Sequence, residues 1–158
     1  MGGRIVIELR EAATKVIEDH ARGAFPEECC GFLLGHIGER TGVIEAHRAK
    51  NVAVEDRARR YMVDPLELLR ADDEARKRGL DLVGIYHSHP NHPAVPSEFD
   101  RSRATPWYLY LILSIVDRDP REIAAWRFDE PTKRFEKEEV RRISAKVDSR
   151  KPRKATKR

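Results

Sequence analysis

The segment "DLVGIYHSHPNHPAVPSEFD", residues 81 to 100, constrains the fold more tightly than any other part of this chain. An uncharged apolar run from Leu82 to Tyr86 has the density of a buried strand, and it continues directly into His87 and His89. Prolines at 90, 93 and 96 then end both strand and helix, since each lacks an amide hydrogen and fixes its own φ. Ser97 and Asp100 follow with the Ser-x-x-Asp spacing of a helix start, so the segment reads as strand, turn and short helix. Residues two apart on a strand share a face, which aims both imidazoles the same way.

That arrangement raises the question of a metal. Two neutral nitrogens from His87 and His89, joined by a carboxylate oxygen of Asp100 beyond the proline turn, form a donor set suited to Zn²⁺ with a fourth position left for water. The same residues have a plainer reading as two polar side chains at a strand end followed by an ordinary helix cap. Spacing alone leaves both open. His92 lies mid-loop with no strand or helix to aim it, and is expected to be exposed rather than ligating. His20, His36 and His47 have no comparable neighbours. A hydrolytic metal site also needs a proton acceptor. Glu28, just before the apolar run "CCGFLLGHI", is the candidate, and Glu27 competes with it because a one-residue slip of the strand would exchange the two.

Around this segment the chain alternates strand and helix signals. "RIVIEL" predicts a first strand, followed by a helix from Glu11 to Gly23 with Ala13, Val16, Ile17, His20, Ala21 and Ala24 on one face. "CCGFLLGHI" and "GVIEAHRAKN" predict a hairpin, and "RYMVD" a further strand. Asp64, Pro65 and Glu67 supply the cap, first-turn proline and capping-box acid of a helix over 65–78, with Gly79 at its end. "PWYLYLILSIVD", "REIAAWRFD" and "KRFEKEEV" predict three more strands. Because βα units do not alternate regularly, the class is α+β, with a central mixed, mostly antiparallel sheet flanked by helices.

A length of 158 residues suits one domain. The net charge of +4 invites a nucleic-acid reading, but residues 141–158 hold nine Lys or Arg and one Asp, a net of +8 that leaves about −4 for the rest. The division is therefore a domain over 1–144 and a basic tail over 145–158, without apolar period and expected to be disordered. The tail is a solvated terminus or a contact for RNA, DNA or an anionic surface. Cys29 and Cys30 are adjacent, which is poor geometry for a mutual disulfide, so both are expected to be buried small apolar residues in a reducing, cytoplasmic setting. No apolar run reaches the length of a membrane span, and no export signal is expected.

The quoted segment resembles the signature of the JAMM (MPN-plus) metalloprotease family: His-Ser/Thr-His-Pro, then Ser and Asp at fixed distances, matched here by His87, His89, Ser97 and Asp100. The family's upstream Glu before a Cys-Gly pair is similar to "PEECCGFLLG", with Glu28 three residues before Gly31. The likeness covers roughly residues 4–140 and implies an MPN/JAB-type, cytidine deaminase-like fold. It further implies that His87, His89 and Asp100 hold one zinc per chain, that Glu28 serves as general base, and that Ser97 helps hold the carbonyl oxygen. The implied partner is a ubiquitin-like or sulfur-carrier protein with a C-terminal Gly-Gly, whose extended tail adds to a sheet edge beside the zinc. The short chain is similar to the stand-alone prokaryotic branch of the family. An isopeptide, a peptide extension and a single amino-acid adduct all remain open as the bond cut, as does the oligomeric state, a homodimer included. The alternative is a RadC-like, DNA-associated JAB-domain protein using its basic tail on phosphates; that group reads His-Asn-His where this chain has His87-Ser88-His89.

Overall fold

The computed structural model describes residues 5–144, so the basic tail at 145–158 lies outside the described residues. In chain order the elements are β1 (Val6–Arg10), α1 (Glu11–Ala24), β2 (Cys30–His36), β3 (Arg40–Ala49), α2 (Pro65–Lys77), β4 (Asp81–Pro90), α3 (Glu98–Ser102), β5 (Leu109–Val116), β6 (Asp119–Asp129) and β7 (Arg134–Ile143). The strands lie in the order β1-β3-β2-β4-β5-β6-β7, and β1 returns to β7, closing a barrel. Pairings β1·β3, β1·β7 and β4·β5 are parallel and the other four antiparallel, so the sheet is mixed and mostly antiparallel as expected.

Closure depends on the five residues of β1, which pair Val6 with Arg40 on one side and with Glu139 on the other. Among the described residues every strand has two neighbours, although β1 pairs with β3 only as far as Val43 and β6 with β7 only from Ala125.

Apolar periodicity explains how the barrel is filled. On α1, Ala13, Ile17 and Ala21 share a face and pack with Ile7, Leu9, Leu33, Val43, Leu111, Leu113, Ile115 and Ala125. α1 thus lays its apolar stripe against this cluster from β1 to β6, while Lys15 and Arg22 on its other side stay exposed. Burying each of these Leu and Ile side chains contributes about 1.5–3 kcal/mol. On the outside, Ala71 and Ala75 of α2 rest on Phe32, Leu34, Leu82 and Ile85. Cys29 and Cys30 are free and buried, one in each cluster.

Two local expectations are corrected. Residues 60–64, "RYMVD", form no strand. The Met62 amide donates to the Asn51 side chain and the Met62 carbonyl accepts from Val52 N–H, so the segment folds back on the loop after β3 instead of joining the sheet. Asp64 does cap α2, accepting from Leu66 N–H at 3.0 Å, but Glu67 reaches toward Lys50 N–H rather than completing a capping box. Gly79, at φ 73°, takes the left-handed position that follows the helix.

Tyr86 is fully buried and reaches α1, where its hydroxyl lies 2.7 Å from His20 Nδ1. Its ring crosses β2 at Gly31, where an added Cβ would stand 2.3 Å from the ring and 2.3 Å from the His47 carbonyl oxygen. Gly31→Ala is therefore expected to destabilise by about 1–3 kcal/mol, the range of overpacking, read as a fall of several degrees in Tm by calorimetry. Burial, aided by the charge of Arg48, pulls the pKa of His20 down to about 4 from 6.5. A folded pKa below the unfolded one means that stability is intact above pH 6.5 and is lost as pH falls from 6.5 toward 4. Discounted for the half-exposed ring, the loss is about 1–2 kcal/mol. Urea midpoints of the wild type and His20→Gln should accordingly converge as pH is lowered across that window.

Candidate metal centre

β4 lies between β2, where Cys30 faces His87, and β5, where Ile112 faces His87 and Ser114 faces His89. Held on both sides, His87 and His89 project from one face, at 1% and 5% exposure. The proline loop that follows is pinned to the barrel by hydrogen bonds. Asn91 N–H donates to Ile115 O at 2.6 Å, the Ser114 hydroxyl to His92 O at 2.6 Å, and the Trp126 indole N–H to Ala94 O at 3.0 Å. So anchored, the loop delivers α3 with a complete capping box: Ser97 Oγ accepts from Asp100 N–H at 3.0 Å, and Asp100 Oδ2 accepts from Ser97 N–H at 2.9 Å.

The same Asp100 Oδ2 stands 3.2 Å from His87 Nε2 and 3.2 Å from His89 Nε2, and the two Nε2 atoms are 3.2 Å apart. One ligand atom from each of the three buried residues thus converges on a single point. His89 Nδ1 lies 2.8 Å from Pro93 O, an acceptor only, so Nδ1 carries the proton and Nε2 presents a lone pair. His87 Nδ1 is buried with no partner, and Tyr61 covers that imidazole by stacking at 4.3 Å between centroids. Burial holds His87 below its ordinary pKa despite Asp100 beside it. Burial opposes ionisation of Asp100, yet the imidazoles and the Ser97 amide hold its carboxyl far below the usual range.

This set fits a divalent metal. Tetrahedral coordination at about 2.0–2.1 Å separates donor atoms by about 3.3 Å, close to the spacing seen here. Two imidazoles and one carboxylate also match the three-ligand sets that leave one position open.

Glu28 sits at the foot of β2, 4% exposed, and its Oε1 has no hydrogen-bond partner among the described residues. It opens on a cleft of about 360 Å³ shared with His89, Ser97, Arg59, His92, Pro93 and Val95. Burial, then the negative charges of Asp100 and Asp56, pushes its pKa up to about 9. Glu27 points elsewhere: it is exposed and pairs with Arg57 at 3.4 Å. His92 is exposed on the rim of the cleft, outside the three-residue cluster.

Two contributors are not among the residues expected at the site. Tyr61 falls in the segment expected as a strand, which does not form, and nothing local marks it as the cover of His87. Ser88, between the histidines, faces inward and accepts Cys29 N–H at 2.8 Å, holding the chain next to Glu28. The strand period assigns it that opposite face and could have flagged it.

The fold is that of a JAB/MPN domain, and relatives of the metalloprotease type make the chain an enzyme. Residues 10–129 match the family described as prokaryotic homologs of the JAB domain, and the chain belongs to that family. A desampylase of Haloferax volcanii is 40% identical over 111 residues, 70% of this chain and 78% of that protein. A probable TtuB-protein conjugate cleaving protease of Thermus thermophilus is 50% identical over 44 residues, 28% of this chain and 30% of the relative. The solution structure of a protein from Desulfitobacterium hafniense matches with a TM-score of 0.77 at 29% identity, over 87% of this chain and 93% of that one. Among the described residues, no helix is long and apolar enough to cross a membrane.

His89→Ala and Asp100→Ala each remove a donor from the cluster. Elemental analysis of protein purified with Zn²⁺ should find close to one equivalent in the wild type and a large loss in both variants, with circular dichroism unchanged. Retention of full metal content would exclude these residues as ligands.

Proposed function

We propose that this protein is a zinc-dependent isopeptidase that hydrolyses the amide bond after the C-terminal Gly-Gly of a ubiquitin-like or sulfur-carrier protein. The observation that carries the reading is Glu28, a buried carboxyl with an unpartnered oxygen, opening on the same cleft as His89 and Ser97. The relatives supply the substrate class: desampylases are isopeptidases, and the Thermus relative is described as cleaving protein conjugates.

In this reading His87 Nε2, His89 Nε2 and Asp100 Oδ2 hold the ion. When bound there, zinc supplies Lewis acidity, which acidifies water and polarises an amide carbonyl. With the charge of Asp100 offset by a bound cation, one of the causes that raise the Glu28 pKa is removed. Glu28 then meets water as a carboxylate and takes a proton from it as the water oxygen attacks the carbonyl carbon. It returns that proton to the nitrogen as the C–N bond breaks, and the second water proton follows it by way of the same carboxyl, leaving a glycine carboxylate and a protonated amine. The Ser97 oxygen is engaged by Asp100 N–H, but its hydroxyl hydrogen stays available to the carbonyl oxygen as negative charge builds there. Tyr61 shields His87 from water.

Glu28 also lines a second cavity of about 420 Å³, with His20, Glu27, Lys50, Asn51 and Arg57. An extended chain running from one cavity to the other passes Glu28, with the Gly-Gly tail on one side and the leaving amine on the other. Recognition in this reading relies on these clefts.

The test uses carriers bearing Gly-Gly followed by a peptide extension or a lysine conjugate, read by intact mass with and without a chelator. Cleavage after the second glycine that is lost on chelation supports the proposal. Glu28→Gln should keep its zinc and lower kcat by about 10²–10⁴-fold, the usual contribution of a general base. Undiminished turnover by that variant would remove Glu28 from the mechanism.

A further inference from the structure

Asn51 follows β3 and lies in no helix or strand, yet its amide uses its full hydrogen-bonding capacity. Its Nδ2 donates to Glu28 O and to Arg60 O, each at 3.0 Å, and its Oδ1 accepts from Ala53 N–H at 3.0 Å and Met62 N–H at 3.1 Å. Glu28 precedes β2, which begins at Cys30, so no ladder fixes its backbone. Both of its backbone groups instead bond to the loop: Glu28 N–H donates to Arg57 O at 2.7 Å, and Glu28 O accepts from Asn51. That loop also carries Tyr61, one residue past Arg60, onto the face of His87.

We propose that Asn51 is a positioning residue that aims the Glu28 carboxyl into the cleft, by tying the Glu28 carbonyl to the loop that covers His87. Asn51 acts through Glu28 and touches neither the ligand cluster nor the reacting atoms. The inference rests on the reading of Glu28 as the proton acceptor. A side chain at this point must offer two donors to two carbonyls and one acceptor oxygen to two amides. Among residues of this size only Asn does so; Asp keeps the acceptor but sets a carboxylate oxygen against both carbonyls.

Asn51→Asp separates the two halves of the device. Ala53 and Met62 keep their acceptor, so hydrogen exchange at those amides should stay slow, while Glu28 loses its tether. Measured on the zinc-loaded full chain with a Gly-Gly-extended carrier, kcat should fall ~10- to 100-fold, with metal content unchanged. In a Glu28→Gln background the same substitution should cause no further loss, because its effect passes through the carboxyl that has been removed. Should Asn51→Asp fail to fold, Asn51→Ser, with one donor and one acceptor, is measured in its place with the same expectation. Wild-type kcat in the variant, or a loss fully additive with Glu28→Gln, overturns the inference. So does a loss of activity that tracks loss of metal. A Glu28→Gln enzyme that remains active refutes the base assignment itself, whereas an inactive Glu28→Gln beside a fully active Asn51→Asp refutes only the role of Asn51.

Discussion

Three buried donor atoms, His87 Nε2, His89 Nε2 and Asp100 Oδ2, stand 3.2 Å from one another. Lone pairs brought so close, away from water, are unfavourable unless a proton or a cation lies among them. The surrounding structure is organised to hold them in that position. β4 is clamped by β2 and β5, the proline loop is pinned to β5 and β6, and Asp100 Oδ2 is held by the Ser97 amide. Hydrogen bonding to Pro93 fixes the His89 tautomer, so the nitrogen facing the centre is the bare one.

The ligand cluster and the acid beside it have separate supports. His87 and His89 come from a strand paired on both sides, and Asp100 from a helical turn closed by its own capping box. Glu28 comes from a chain segment just outside the sheet, and its backbone is held by Arg57 O, Asn51 and the neighbouring Cys29–Ser88 hydrogen bond. The site is thus assembled where the regular structure ends. The connection from 51 to 64 supplies the anchor of Glu28, the cover of His87 and the rim of the cleft in Arg59.

Much of this was legible because it is local. His87, His89, Ser97 and Asp100 fall within fourteen residues, and alternation on a strand, proline breaks and the helix-cap spacing fix their relative placement. Most strands and α1 could be read from their apolar periods, and α2 from Asp64, Pro65 and Gly79 at its ends. The segment 60–64 was misread because its β-like composition resembles a strand, while its amide is in fact taken by a side-chain oxygen eleven residues earlier. Propensity cannot register such a long-range competitor.

The sequence by itself determined the donor types, their order and the strand, turn and helix that carry them, since each follows from contacts between residues close in the chain. Only the tertiary structure decided which of Glu27 and Glu28 enters the cleft, that Tyr61 lies over His87, and that β1 closes the barrel between β3 and β7. Those outcomes depend on hydrogen bonds and packing between segments distant in sequence, which no local pattern encodes.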